Sequence, residues 1–164
     1  MVFRTTVLGL LLVGAAGCSS SVISGPIEFV HTFDGPSETS VWVATGEAID
    51  EGLLCPSATG LLDALEDENG NVRTPEELDE LRRGSTAFVS VAVEDMVCDD
   101  SSGNFALRIT SQIDPDSAGG VDSTTWSIVG GAEYGGITGS GDTGSLQVQG
   151  GTTVLTGAGT MTTG

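Results

Sequence analysis

Apolar residues recur at every second position in several short stretches, the period of a pleated strand whose side chains point alternately to its two faces. Val41, Val43 and Thr45 alternate with Trp42, Ala44 and Gly46 in a strand-like region from Ile27 to about Ser57, after a turn marked by Gly35-Pro36. Further along, Ala87, Val89, Val91 and Val93 alternate with Phe88, Ser90, Ala92 and Glu94. Past the turn Asp99-Asp100-Ser101-Ser102-Gly103, Phe105, Leu107, Ile109 and Ile113 alternate with Asn104, Ala106, Arg108 and Gln112. This is the cleanest period in the chain and predicts an antiparallel hairpin with one apolar face. More strands are expected at Thr124 to Val129, Ser145 to Gln149 and Thr152 to Met161, each bounded by glycine-rich turns. Short strands at such spacing indicate a sandwich or barrel, and successive hairpins without room for crossover helices favour an up-and-down barrel.

The segment Leu61 to Gly84 breaks this texture. It is rich in Asp and Glu, and Thr74-Pro75-Glu76-Glu77 has the form of a capping box: Thr74 as N-cap, proline in the first turn, Glu77 reaching back. Leu78 and Leu81 can face the protein, Arg82 and Arg83 suit the carboxyl end of the helix dipole, and Gly84 ends it. The prediction is one short amphipathic helix on an insertion between strands.

Composition agrees with a β fold. Glycine supplies 25 of the 164 residues, and each costs about 1 kcal/mol in a helix relative to alanine. Charge narrows the partners. With 23 acidic residues against 5 basic ones, the formal net charge is −18, and the arginines beyond the amino terminus (Arg73, Arg82, Arg83 and Arg108) form no basic stripe. Nucleic acid and bare anionic membrane surfaces are thereby excluded as partners, since both are polyanions.

Residues 1–17 read as a signal peptide: Arg4 near the start, an apolar stretch from Val7 to about Val13, then Gly14-Ala15-Ala16-Gly17 leading into Cys18. The apolar part is too short to span a bilayer as a helix. Ala15-Ala16-Gly17-Cys18 resembles the lipobox of bacterial lipoproteins, which implies lipid attachment at Cys18, residues 18–26 as a tether, and a membrane partner engaged through the anchor. Ordinary cleavage near Gly17, leaving a free thiol, is the alternative. If Cys18 is lipidated, Cys55 and Cys98 remain as an even pair in an oxidising compartment. A disulfide between them would be worth about 4 kcal/mol in the chain-entropy view. A zinc site would need about four ligands, and only His31 is available beside the two cysteines.

Four pieces of residues 27–164 resemble the barrel family of allene oxide cyclases and dirigent proteins, through its secreted bacterial members. These are Gly52-Leu53-Leu54-Cys55-Pro56-Ser57, Val97-Cys98-Asp99-Asp100-Ser101-Ser102-Gly103-Asn104-Phe105, Trp126-Ser127-Ile128-Val129-Gly130-Gly131 and Tyr134-Gly135-Gly136-Ile137-Thr138-Gly139-Ser140-Gly141. Ala132-Glu133 replaces a longer turn of the family, and the acidic helix is not a usual family feature. The resemblance implies an all-β, calycin-like antiparallel barrel of eight strands with an apolar interior and one short inserted helix. It carries over no activity, because none of the cyclase's catalytic residues aligns onto this chain.

Candidate chemistry is sparse. His31 is the single histidine, and imidazole is the usual general base or metal ligand near neutral pH. No serine or cysteine in a nucleophile context accompanies it, so an exposed residue on the strand entering the domain is the expectation, and no catalytic residue is assigned. Aligning Gly70 with the glycine of a calcium loop brings Asp67, Asn69 and Glu76 to ligand positions. Leu65 at the first ligand position and Arg73 oppose this, and a solvated acidic turn before a capped helix accounts for the same residues. No metal site or cofactor is assigned. Trp42, Phe105, Leu107, Trp126 and Ile128 lie on strands, where they either fill the barrel or line a cavity for a small hydrophobic ligand. The sequence thus predicts a surface-anchored or secreted barrel lipoprotein acting as a binding or envelope-associated module. A cyclase or isomerase working on a small hydrophobic substrate is the rival, and no protein partner is specified.

Overall fold

A computed structural model describes residues 22–84, 86–116 and 120–164. Cys18 and the signal and anchor readings therefore lie outside the described residues. Eight antiparallel strands close into a barrel in chain order, β1 pairing with both β2 and β8. They are β1 (Ser24–Asp34), β2 (Thr39–Thr45), β3 (Ser57–Glu66), β4 (Phe88–Cys98), β5 (Asn104–Ile113), β6 (Val121–Gly130), β7 (Ile137–Gln149) and β8 (Thr152–Thr163). The short α1 (Glu47–Asp50) follows β2, and α2 (Pro75–Arg83) lies between β3 and β4. All-β class, up-and-down order and closure follow the alternation in the sequence. Thr74 and Glu77 make the reciprocal capping box, so α2 begins where the sequence says it should.

Several boundaries differ for identifiable reasons. The barrel starts at Ser24, not Ile27, since Ser24, Gly25 and Pro26 pair with Thr162, Met161 and Thr160. Pro26 is tolerated because β2 pairs with β1 only from Glu28 onward, which leaves its imide nitrogen on an open edge. Leu61 to Glu66 belongs to β3 instead of the acidic insertion. A bulge between Leu62 and Ala64 breaks the two-residue period there and disguises the strand. β7 begins at Ile137, well before Ser145, through residues whose glycines read as a turn.

Those glycines are part of the packing. Side chains added at Gly139 and Gly157 would run into Met161 Sδ and the Phe29 ring, and one at Gly159 into Trp126. The bare positions on β8 thus make room for the Phe29 and Trp126 rings, and Gly139 on β7 makes room for Met161. Phe29 stacks on Trp42 at 4.1 Å between ring centres and meets Trp126 edge-on at 5.1 Å, while Trp42 meets Phe105 at 5.6 Å. Ala48 of α1, with Leu53, Leu54 and the Cys55–Cys98 disulfide, completes the core at this end. One half of the barrel is therefore filled.

The β4–β5 hairpin forms as expected, but its register corrects the predicted apolar face. Glu94 pairs with Leu107, and Val93 with Arg108. The inward set on β4 is consequently Ala92, Glu94, Met96 and Cys98, while Val91 and Val93 alternate to the other face. Both valines are still buried there, on the side where Arg108 Nη2 holds Glu66 Oε2 at 2.5 Å. The pleat carries a carboxylate into the barrel as a direct consequence. At the opposite end from α1 the wall splays: β6 and β7 pair only between Thr125↔Asp142 and Val129↔Thr138, and the Thr143 hydroxyl donates to Thr124 O at 2.9 Å beyond that point.

Candidate functional site

Strand order decides which side chains meet above the aromatic layer. His31 on β1 pairs with Trp42 on β2 and Leu155 on β8. Ser40 lies one inward position along β2, opposite Gly60 of β3, which in turn pairs with Met96 of β4. A side chain at Gly60 would collide with Ser40 Oγ and Met96 Sδ. The missing side chain at Gly60 thus opens a bridge across β3 from β2 to β4. Ser40 donates its hydroxyl hydrogen to Glu94 Oε2 through that bridge, and its Oγ lies 3.5 Å from Met96 Sδ. His31 Nε2 lies 2.9 Å from the same carboxylate oxygen.

His31, Ser40 and Glu94 are each at most 2% exposed. The expectation of an exposed histidine is thereby overturned: β1 enters the barrel wall with Ile27, Phe29 and His31 all on its inward face. A carboxylate taken out of water requires hydrogen-bond donors to offset its lost hydration, and Glu94 has two on one oxygen. In a neutral ring that donates from Nε2 to the carboxylate, Nδ1 keeps its lone pair. Among the described residues, neither His31 Nδ1 nor Glu94 Oε1 has a protein hydrogen-bond partner.

Beyond this cluster, toward the splayed end, is a cavity of about 240 Å³. Phe33, Leu62, Leu65, Ile109, Leu146 and Leu155 supply its apolar lining, and His31, Glu94, Ser111 and Thr153 its polar groups. Among the described residues, no arginine lines it. The barrel is therefore a cup: packed below, hollow above, with an acid–imidazole pair between the two halves. Such a cup can bind a small apolar molecule through one polar group, and a base with a free lone pair can move a proton on it.

Sequence reasoning located other residues for the lining. Trp42, Phe105, Leu107, Trp126 and Ile128 all belong to the packed core, and none lines the cavity beside His31. They are large inward residues of the half closed by α1, so they fill space instead of bounding it. Trp126 Nε1 donates to Ala158 O at 3.2 Å, whereas Trp42 Nε1 is buried without a partner among the described residues. Glu94 and Ser40 were not legible as site residues. Glu94 is one acid among many, and only an inward-facing carboxylate on an otherwise apolar strand face would have marked it.

The remaining candidates resolve simply. Cys55 and Cys98 are bonded to each other, tying the loop before β3 to the end of β4 and leaving no thiolate for zinc among the described residues. Asp67 is turned onto its own loop. It accepts from the Asn69 and Asn71 amides, the Asn71 side chain and Arg73 Nη2. Chiefly the Asn71 hydrogen bonds, with those of Asn69 and Arg73, hold its carboxyl down at about 2. Among the described residues, no group of three or more His, Cys, Asp or Glu side chains is arranged to hold a metal, and no helix is long and apolar enough to cross a membrane. Neither a protein-family profile, nor a curated protein, nor a solved structure matches this chain.

Proposed function

We propose that this protein is a barrel lipoprotein of the cell envelope or cell surface, tethered through Cys18, that holds a small uncharged hydrophobic molecule in the hollow half of its barrel. The observation that carries the reading is the His31–Glu94 pair at the floor of an otherwise apolar cavity. Apolar walls supply affinity, and one polar cluster orients the guest. The absence of lining cations among the described residues, together with Glu94, disfavours anionic guests. Kinship with the secreted members of the allene oxide cyclase and dirigent barrels belongs to this proposal, supported by the four sequence pieces and the eight-stranded antiparallel closure.

Titration of the purified protein with 2-naphthol, followed by naphthol fluorescence and cavity methyl resonances, tests the binding reading. Saturable binding on the order of 100 µM is expected, from about 0.5 kcal/mol per non-hydrogen atom. 2-Naphthoate should bind at least about tenfold more weakly, because its carboxylate meets Glu94. Leu146→Trp, which fills the cavity, should abolish the signal. Absence of binding, or binding indifferent to Leu146→Trp, overturns the proposal. The anchor is tested separately: Cys18→Ala should release the protein from the membrane fraction, and continued membrane association would refute lipidation there.

A further inference from the structure

The geometry points to His31 as a general base that shifts a proton within a small, uncharged carbonyl compound, with Glu94 and Ser40 as its positioning residues. This inference rests on the binding reading above and deepens it from holding a guest to transforming one. The chain has one histidine, and it is buried against a carboxylate at the floor of a cavity. For stability alone that pair is a poor choice, since apolar residues of similar volume serve a barrel interior as well or better. As a base it is well built. Glu94 holds the Nε2–H, fixes the ring plane and the tautomer, and stabilises the imidazolium that forms on protonation. Ser40 donates to the same oxygen and limits the rotation of the carboxylate. The lone pair of Nδ1 is left without a protein partner among the described residues.

The surroundings restrict the reaction. Both described cysteines are in the disulfide, the Ser40 hydroxyl is committed to Glu94, and neither lining hydroxyl, Ser111 or Thr153, is hydrogen-bonded to His31, so no base-activated nucleophile stands in the site among the described residues. Among the described residues, no lining cation is present to hold a phosphate or carboxylate. What remains is proton transfer on carbon next to a carbonyl, with the Ser111 and Thr153 hydroxyls in the lining as donors to the developing oxyanion. For a β,γ-unsaturated ketone, Nδ1 takes a proton from the carbon between the carbonyl and the double bond. The C–H electron pair moves into a dienolate. The imidazolium then returns that proton to the far alkene carbon, giving the conjugated ketone. No atom or electron is gained or lost, and the base is regenerated.

The experiment uses the purified protein and 3-cyclohexen-1-one. Binding is read from the methyl resonances of Leu62, Leu65 and Leu155, and turnover from conjugated-enone absorbance and from deuterium uptake in D₂O. Wild type should accelerate isomerisation over buffer, and His31→Ala should lose about 100-fold or more while still binding the ketone. Free imidazole should restore part of that loss by occupying the vacated space. Glu94→Gln should lower kcat by about tenfold or more with little change in KM. Its His31 ¹⁵N spectrum should show mixed tautomers where wild type shows Nε2–H alone. Binding without acceleration by wild type, or acceleration unaffected by His31→Ala, overturns the inference while leaving the binding reading intact. Failure of the ketone to shift the cavity methyls overturns both. Should His31→Ala not fold, the wild-type ¹⁵N spectrum still decides: an Nδ1–H tautomer removes the base and ends the inference.

Discussion

The ring of Phe29 occupies the space that a side chain at Gly157 would need. This pairing of a large residue on β1 with a bare position on β8 lets one half of the barrel close around three aromatic contacts. Gly157→Ala should therefore overpack the interior and cost about 1–3 kcal/mol. Thermal unfolding is expected to show a midpoint lowered by roughly 3–10 °C. Gly144→Ala is the control, since its added carbon would meet only the Thr156 hydroxyl at 3.1 Å. An equal loss in both variants would refute the packing argument.

The buried acid–imidazole pair makes a different prediction. His31→Leu leaves Glu94 buried with the Ser40 hydroxyl as its remaining donor, and Glu94→Met leaves His31 buried without its acceptor, at a cost of about 3–5 kcal/mol each. The double substitution replaces both polar groups by apolar ones and should come back to within about 2 kcal/mol of wild type. Denaturant unfolding of the four proteins gives the coupling directly. Additive losses would mean that the two residues stabilise the barrel independently.

Cys55 and Cys98, each 2% exposed, should resist alkylation in the native protein. Reduction under denaturing conditions, or Cys55→Ala with Cys98→Ala, should cost about 2–5 kcal/mol by releasing the long loop they close. A native protein that labels readily at both positions would contradict the disulfide.

Asp67 organises the turn ahead of α2, with a carboxyl held at about 2 against an ordinary value of 3.8. A depressed folded-state value means that its contribution is complete above about 3.8 and lost as the pH falls through about 2. The Asn69 and Asn71 amide resonances should therefore keep their shifts from about pH 5 to about pH 3, then change with a midpoint near 2. A midpoint near 3.8 would show that Asp67 does not hold the loop.

The resolution of this fold from its residues follows the range of each interaction. Alternation through Trp42 to Thr45 and Phe105 to Ile113 is written in adjacent residues, so the strands and the β class were legible. The capping box at Thr74 and Glu77 was legible for the same reason. The Cys55–Cys98 pair was readable from counting only with Cys18 set aside as the lipid-bearing residue. Leu61 to Glu66 was hidden by a bulge, and Ile137 to Gly144 by glycines whose purpose lies in close approach to β8, Gly139 against Met161 and Gly141 against Ala158 and Gly159.

The sequence by itself determined a closed set of hairpins, because hydrophobic period, turn residues and caps act over a few positions. Only the tertiary structure decided which face of β4 looks inward, because the alternation of Val91 and Val93 with Ala92 and Glu94 fits either choice. The answer came from register, Glu94 against Leu107, and from Gly60, whose missing side chain lets Ser40 reach that carboxylate. His31 and Glu94 are 63 positions apart. They meet because strand pairing and closure carry them to the same level of the barrel, and no local pattern encodes that distance.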